Sequence, residues 1–177
     1  DAASFRDLKG TNTLTGSETV LLPNRLLFKQ NTTTSHTGTT TPTVVATFPM
    51  SAGTFDVNDV LNFAISINST NNANTKLCEV YLNTTANLAG TPIKIGQRTS
   101  PSVAGVQFKK TLSFTNSLTS QKIVDPTGFP FTDDGSALGT VSISANFAVT
   151  QYLVIVFTLG NSADTMSLER IRAWIER

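Results

Sequence analysis

Polar and apolar residues alternate strictly along two stretches of this chain. The first, LNFAISIN, covers residues 61–68, and the second, VSISANFAV, covers residues 141–149. Large apolar side chains recur at every second position, from Leu61 to Ile67 in one stretch and from Val141 to Val149 in the other. A period of two places them on one face of a strand and excludes an amphipathic helix. Both stretches are therefore predicted to be half-buried β-strands.

Short apolar stretches separated by Gly, Pro, Asn, Asp and Ser extend this pattern over most of the chain. No stretch before the C-terminal segment has a convincing helical period. Many short strands joined by polar turns predict an all-β protein, an antiparallel sandwich or a barrel. The predicted strands are Thr19–Leu22, Leu26–Lys29, Thr43–Phe48, Val60–Asn68, Lys76–Asn83, Pro92–Ile95, Val106–Phe114, Gln121–Val124, Gly139–Val149, Tyr152–Leu159 and Thr165–Ile175.

The length of 177 residues predicts one domain with a sizeable core. Because the strand pattern starts near Glu18, residues 18–177 are predicted to form a single β-sandwich domain. Residues 1–17 are expected to be a linker or an N-terminal arm that reaches a neighbour. The Thr-rich segment Asn31–Thr43 is predicted to be a long exposed loop or edge.

One predicted strand is apolar on both faces. Leu153, Ile155 and Phe157 point one way, and Val154 and Val156 point the other. In an antiparallel sandwich such a strand needs a second cover. Either another subunit or a loop over a central strand would provide that cover.

The C-terminal segment MSLERIRAWIER has two interpretations. As a helix, it would place Leu168, Ile171 and Ile175 on one face. As a strand, it would place Ile171, Ala173 and Ile175 on one face, with Arg170, Arg172 and Trp174 on the other. We favour the strand.

Composition narrows the classes of function. Charged residues make up 14% of the chain, against about 25% in a typical soluble domain, and Thr, Ser and Asn make up about a third. Such a surface is common among secreted and virion β-proteins. The net charge of +1 and the single basic pair Lys109-Lys110 argue against nucleic-acid binding. No apolar stretch approaches the roughly 20 residues of a transmembrane helix, so no membrane insertion is expected.

The residues offer little for catalysis. The single histidine, His36, lies in the Thr-rich segment, where a solvated loop histidine is expected instead of a general base. The single cysteine, Cys78, is predicted to be a small buried residue, and one Cys with one His cannot build a zinc site. Glu79 is the acid with the least evident structural use, but a glycosidase needs two facing carboxylates. We therefore expect no enzymatic activity, no cofactor and no metal site.

Sugars are bound by amides, hydroxyls and aromatic faces, which leaves three loops as candidates. In residues 125–139, Phe129 and Phe131 flank Pro130 beside the carboxylates Asp133 and Asp134. These Phe side chains are predicted either to stack on a sugar or to pack beneath their own loop. Asp133 and Asp134 next to Gly135 are otherwise ordinary turn residues. The other candidate loops are Ser69–Thr75, with Asn71 and Asn74, and Asn83–Gly90.

One segment resembles a known family. Its match is carried by Phe48-Pro49, Ala52-Gly53-Thr54-Phe55, Val57, Asp59 and Leu61. This order of strand, turn and strand is similar to that in β-sandwich domains at the ends of bacteriophage tail-fibre, head-fibre and neck proteins. The resemblance implies a jelly-roll-like antiparallel sandwich, usually a homotrimer, with a final strand that runs to the last residues. In that trimer, Tyr152, Val154 and Val156 are the expected subunit contacts.

The same resemblance implies the function. We expect a phage fibre domain on the extracellular virion surface that attaches to a host cell-surface glycan without cleaving it. Its N-terminal end would contact other virion proteins. Two alternatives remain open. One is a head-fibre or capsid decoration domain that stabilises the particle without binding a receptor, and the other is a glycan-cleaving enzyme domain.

Overall fold

The computed structural model describes residues 24–99, 104–124 and 139–177, which form β-strands joined by turns and loops. Among these residues, no helix is long and apolar enough to span a membrane. The strands are β1 (Asn24–Gln30), β2 (Thr34–Thr37), β3 (Thr43–Met50), β4 (Val60–Ser69), β5 (Lys76–Asn83), β6 (Ile93–Thr99), β7 (Gly105–Phe114), β8 (Gln121–Val124), β9 (Thr140–Ile143), β10 (Gln151–Leu159) and β11 (Thr165–Glu176).

The strands form two antiparallel sheets. The large sheet has the order β1-β11-β4-β7-β8-β9, and β2 also pairs with β11. The small sheet has the order β3-β10-β5-β6. The inward side chains of both sheets share one hydrophobic core. This arrangement confirms the predicted all-β antiparallel sandwich and is consistent with a jelly-roll-like fold.

The alternation of polar and apolar residues in β4 places its apolar side chains in the core, as predicted. Leu61, Phe63, Ile65 and Ile67 are all buried in the core. Their neighbours in the sequence face away from the core and form part of the outer surface of the large sheet. At one edge of the sandwich the rings of Phe28 and Phe48 stack with their centroids 4.4 Å apart, which joins β1 of the large sheet to β3 of the small one.

β10 lies inside the small sheet, between β3 and β5. Its inward residues belong to the core, and its outward residues Val154 and Val156 are only 0% and 1% exposed in the single chain. Their partners on β5 are Tyr81 and Glu79. Because these longer side chains stand beside the two valines, the second apolar face of β10 is already shielded within one chain. Tyr152, at the start of the strand, is half-buried.

The C-terminal segment is a strand, as predicted. β11 pairs with β4 along most of its length, and the register shifts between Leu168 and Arg170. The extra residue at this bulge, Glu169, lets the alternation restart with Ile171 inward and Arg170 outward.

The predicted strand Gly139–Val149 is too long. β9 ends at Ile143, although Ala145 and Phe147 are buried. The side chain of Gln121 replaces a strand partner here: its amide nitrogen donates to the Ala145 carbonyl at 3.0 Å, and its oxygen accepts from the Ala145 N–H at 3.1 Å. The backbone then turns, so Val149 is 44% exposed.

The Thr-rich segment forms an edge of the large sheet, which is one of the two predicted alternatives. It contains the strand β2, which pairs with β11 so that His36 stands opposite Met166. His36 is only 6% exposed, so the prediction of a solvated loop histidine is wrong. Strand pairing turns this side chain inward, which a polar loop composition could not indicate. The predicted strand Thr19–Leu22 and the linker at residues 1–17 lie outside the described residues.

Candidate functional site: a groove on the outer face of the large sheet

A groove follows β4 on the outer face of the large sheet, because the outward side chains of β4 are short. Ala64 and Ser66 lie between longer side chains on both neighbouring strands. On β7 these are Gln107 and Lys109, and on β11 they are Arg170, Arg172 and Trp174. We call this surface the β4 groove.

The β4 groove contains two adjoining depressions. One has a volume of about 560 Å³ and is lined by residues that include Ser66, Asn68, Gln107 and Glu169. The other, of about 210 Å³, shares Ser66 and Gln107 with it and continues towards Lys109. The flanking strands β7 and β11 are two strand spacings apart, or roughly 9–10 Å. The groove is therefore open, shallow and elongated, a shape that suits an extended chain.

Trp174 lines neither depression but stands beside them, opposite Asn62 in the sheet register and between two cations. The guanidinium carbon of Arg172 lies 4.9 Å from the ring centroid, and the Lys109 ammonium lies 5.3 Å from it. Both are within the range of a cation–π contact. Arg172 and Lys109 flank Ala64 on either side in the sheet register. The indole therefore holds both cations close to the shortest side chain of the groove.

Beside Trp174, an amide is held in a fixed orientation. Asn62 is almost fully buried, and its Oδ1 accepts a hydrogen bond from the Thr111 hydroxyl at 2.9 Å. Its Nδ2 donates to the Glu176 carboxylate at 3.3 Å. At the other end, the Glu169 carboxylate accepts a hydrogen bond from the Thr33 hydroxyl at 2.8 Å. The groove thus offers hydroxyls, amides, charges and one aromatic ring.

The predicted loop Ser69–Thr75 is built around a buried lysine. The Lys76 ammonium donates to the Asn72 side-chain oxygen at 2.6 Å and to the Asn74 carbonyl at 2.7 Å. It also lies 4.0 Å from the Asp164 carboxylate. The Asn74 carbonyl is therefore already occupied, whereas Asn71 is exposed. This loop directly follows β4, but the hydrogen bonds of Asn72 and Asn74 are used to hold the buried lysine.

The pKa of Asp164 is lowered by the same network. The strongest cause is the hydrogen bond from the Asn72 side chain, whose nitrogen lies 2.6 Å from Asp164 Oδ1. Asn74 and the Lys76 ammonium lower the pKa further, and burial opposes them. These neighbours therefore stabilise the ionised carboxylate of Asp164.

The other predicted ligand residues, Phe129, Phe131, Asp133 and Asp134, lie outside the described residues. The strands on either side of that loop are neighbours, since Val124 of β8 pairs with Thr140 of β9. Both ends of the loop therefore meet at the β9 edge of the large sheet, which β4, β7 and β8 separate from β11.

A third concave surface lies by the predicted loop Asn83–Gly90. This cleft, of about 510 Å³, is bordered by residues that include Thr84, Pro92, Asn146 and Gln151. The Asn83 amide nitrogen braces the loop by donating to the carbonyls of residues 87 and 89, at 2.7 and 2.8 Å. The cleft carries hydroxyls and amides, and none of the described residues that line it is aromatic.

Two residues considered for chemistry have structural roles. Glu79 forms an ion pair with Lys94 and a hydrogen bond with Tyr81. Burial, followed by the charge and hydrogen bond of Glu79, raises the pKa of Tyr81 to about 12. Burial, with a smaller effect of Glu79, raises the pKa of the Cys78 thiol far above its ordinary value. A thiol in that environment stays protonated and unreactive. The described residues contain no group of three His, Cys, Asp or Glu that could hold a metal ion.

The groove was not predicted from the sequence, although the C-terminal segment contained one signal for it. The strand interpretation of the C-terminal segment placed Arg170, Arg172 and Trp174 on one face, which the structure confirms. That Lys109 would join them depends on β7 and β11 both pairing with β4. The local alternation of polar and apolar residues does not reveal which strands, far apart in the chain, pair with each other.

The sequence matches no protein-family profile and no curated protein. Among solved structures, the chain is similar to the CBM2 module of the Lactobacillus casei BL23 phage J-1 evolved Dit, with 9% identity and a TM-score of 0.39 over 72% of this chain and 67% of that one. It is also similar to LamAcat from Zobellia galactanivorans, with 12% identity and a TM-score of 0.35 over 70% and 65% of the two chains.

A third similar structure is the infectious bursal disease virus VP2 subviral particle, with 9% identity and a TM-score of 0.31. The alignment covers 93% of this chain and 46% of that one, so the chain spans less than half the length of this viral protein.

Proposed function

We propose that this chain is a non-catalytic domain of a phage virion fibre that binds a host-surface glycan through the β4 groove. The observation that carries the proposal is the arrangement of Trp174, Arg172 and Lys109 beside the short side chains of β4. A sugar chain presents hydroxyls to hydrogen-bonding side chains and an apolar ring face to an aromatic one. The groove offers partners for both.

The shape of the groove supports a linear ligand. The accessible side chains of β4 run from Ala64 to Asn68, a distance of roughly 14 Å at about 3.4 Å per residue. Several sugar units could lie along that length. Each hydrogen bond would replace one made to water, so affinity for a single site should be modest. Many copies on one particle would raise the effective concentration and recover tight attachment.

The assignment to a virion fibre rests on the resemblance in the segment from Phe48 to Leu61. Its turn is compatible with that resemblance: Gly53 has a φ of 75°, and the Asp59 carboxylate accepts the Asp56 N–H at 2.9 Å. In this proposal the domain lies on the extracellular virion surface, and its N-terminal end leads to other virion proteins.

We also propose a homotrimer that uses the outer face of the small sheet. Val154 and Val156 are already shielded in the single chain, so little of their own surface remains to be buried. A subunit contact on this face would therefore rest on the half-buried side chains around them, chiefly Tyr81 and Tyr152. This places the trimer contact on the sheet opposite to the β4 groove, which leaves all three grooves open.

The test is a comparison of two candidate sites by binding to host cells and to a glycan array. Trp174→Ala should lower the affinity about three- to ten-fold, as the loss of one aromatic contact would. Val57→Ala shortens an exposed apolar side chain in the turn between β3 and β4, away from the groove and from the proposed trimer contact, and serves as the control. The trimer mass and the melting temperature of each variant are measured alongside.

The double variant Phe129→Ala/Phe131→Ala separates the groove from the loop at residues 125–139. If this variant loses binding and Trp174→Ala keeps it, the site is the loop and the groove assignment is wrong. Release of reducing sugar from a bound glycan would contradict the non-catalytic role.

A further inference from the structure

We propose that the ligand of the β4 groove is an anionic polysaccharide, and that Lys109 and Arg172 hold one of its acidic groups above Ala64. This inference rests on the proposed function, because it names the chemical class of the glycan. The acidic group can be a carboxylate, a sulfate or a phosphate, since all three present anionic oxygens to a cation pair.

The main observation is a row of cations across three strands. Lys29 on β1 pairs with Arg172 on β11, Arg172 pairs with Ala64 on β4, and Ala64 pairs with Lys109 on β7. Cross-strand partners point to the same face, so the three cations share the outer surface of the large sheet. Like charges placed directly opposite one another destabilise a sheet. A bound anion would relieve that repulsion.

The next row adds a fourth cation. Arg170 pairs with Ser66, which pairs with Gln107. These two rows contain no carboxylate among the described residues. Both carboxylates elsewhere on the groove surface already accept hydrogen bonds, Glu169 from Thr33 and Glu176 from Asn62.

The remaining described carboxylates are also engaged elsewhere. Asp56 and Asp59 pair with Arg177 at 3.3 and 3.6 Å. Glu79 pairs with Lys94, and Asp164 lies beside Lys76. Within the described part of the chain, no carboxylate therefore forms an ion pair with Lys109, Arg170 or Arg172. Although the whole chain has a net charge of only +1, the four cations Lys29, Lys109, Arg170 and Arg172 share this face with only two carboxylates, Glu169 and Glu176.

The geometry of the cation pair suits one anionic group. The Cα atoms of Arg172 and Lys109 are two strand spacings apart, or roughly 9–10 Å. The methyl group of Ala64 between them leaves the space above it open, and the contacts with Trp174 keep both cations near that space. The sugar ring that carries the acidic group would then lie along β4, over Ser66.

The test measures binding of three probes to the full chain at 50 mM and 500 mM NaCl. Polygalacturonate supplies carboxylates, its fully methyl-esterified form is the neutral match, and dextran sulfate supplies sulfates. We expect both polyanions to bind and the neutral ester to bind at least ten-fold more weakly. Because exposed charges are screened over a few ångströms at high salt, binding of the polyanions should weaken strongly at 500 mM. The stronger of the two polyanions shows whether the site prefers a carboxylate or a sulfate.

Variants locate the site. Lys109→Ala and Arg172→Ala should each lower the affinity for the polyanion about two- to five-fold, and the double variant about ten-fold. Lys122→Ala removes one exposed positive charge from β8 of the same sheet, away from the cation rows, and should change the affinity little. A thermal melt of each variant confirms that it is folded.

Three results would overturn the inference. One is equal binding of polygalacturonate and its neutral ester, and another is a loss with Lys122→Ala as large as with Arg172→Ala. The third is displacement of polygalacturonate by single-stranded DNA at an equal concentration of charge, which would indicate a general polyanion surface. In each case, Trp174-dependent binding of a neutral glycan would still support the proposed function. Loss of binding to all glycans would reject both.

Discussion

The Gly160 N–H donates a hydrogen bond to the Thr75 carbonyl at 2.7 Å, which ties the end of β10 to the loop before β5. The approach is so close that a Cβ atom on Gly160 would stand 2.7 Å from that carbonyl oxygen and 3.2 Å from the Thr75 nitrogen. The neighbouring residue Lys76 carries the buried ammonium of the same loop. The two loops therefore depend on the absence of a side chain at residue 160.

Gly160→Ala should destabilise the protein. The added methyl group meets backbone atoms, which cannot rotate away, so one of the two loops must shift and lose hydrogen bonds. We expect a loss of about 1–3 kcal/mol in the free energy of unfolding, measured by urea denaturation. Gly105→Ala is the control, because a Cβ atom there would meet nothing within 4 Å. Equal stability of the two variants would contradict the close approach.

Gly53→Val should destabilise the protein for a different reason. Gly53 has a φ of 75°, and a Cβ atom there would meet nothing within 4 Å. The cost is therefore backbone strain alone, roughly 1–3 kcal/mol for a β-branched residue. Gly53→Asn should cost less, because Asn tolerates a positive φ. Equal melting temperatures of the Val and Asn variants would show that strain is not the cause.

These two glycines show what the sequence could and could not predict. Gly53 follows Pro49 in a short polar turn between two alternating stretches, so its special angle was predictable from local pattern. Gly160 also follows a strand, but its constraint comes from Thr75, which lies 85 positions earlier in the chain. The faces of regularly alternating strands such as β4 were predictable for the same local reason, whereas β2 and the early end of β9 were not. The β4 groove was not, because it requires β7, β4 and β11 to be neighbours.

Asp164→Asn should change how stability depends on pH. The pKa of Asp164 is lowered from its ordinary value of 3.8, so the unfolded chain takes up this proton at a higher pH than the folded one. The contribution of the carboxylate is fully present above pH 4 and is lost as the pH falls through the lowered pKa. We expect the melting temperatures of the two proteins to differ most near pH 6 and to approach each other as the pH falls below 3.8. A constant difference from pH 6 to pH 2 would contradict this.

The proposed trimer predicts a mass in solution of three times the 18.9 kDa chain. Light scattering at micromolar concentration measures it directly, and a monomer would reject the proposal. Tyr152→Glu should dissociate the trimer if the outer face of the small sheet forms the contact, because it places a charge in an apolar interface. Lys122→Glu, on the large sheet, should leave the mass unchanged.

Two variants distinguish the observed fold from the longer strand, Gly139–Val149, that alternation predicted. They are Phe147→Ala and Val149→Ala. A strand from 139 to 149 would place both side chains on the same face, with similar burial. In the structure Phe147 is 2% exposed and contacts Phe55 and Phe114, with ring centroids 4.9 and 4.8 Å away, whereas Val149 is 44% exposed. We expect Phe147→Ala to lower the free energy of unfolding by about 3–5 kcal/mol, as a large cavity in the core does.

Val149→Ala should then cost less than about 0.5 kcal/mol, since an exposed side chain contributes little. Denaturant titrations of both variants measure the difference. Comparable losses from the two substitutions would mean that Val149 is buried and that β9 continues beyond Ile143. A large loss from Phe147→Ala alone would instead support the turn after Ala145, which Gln121 holds in place through its two hydrogen bonds.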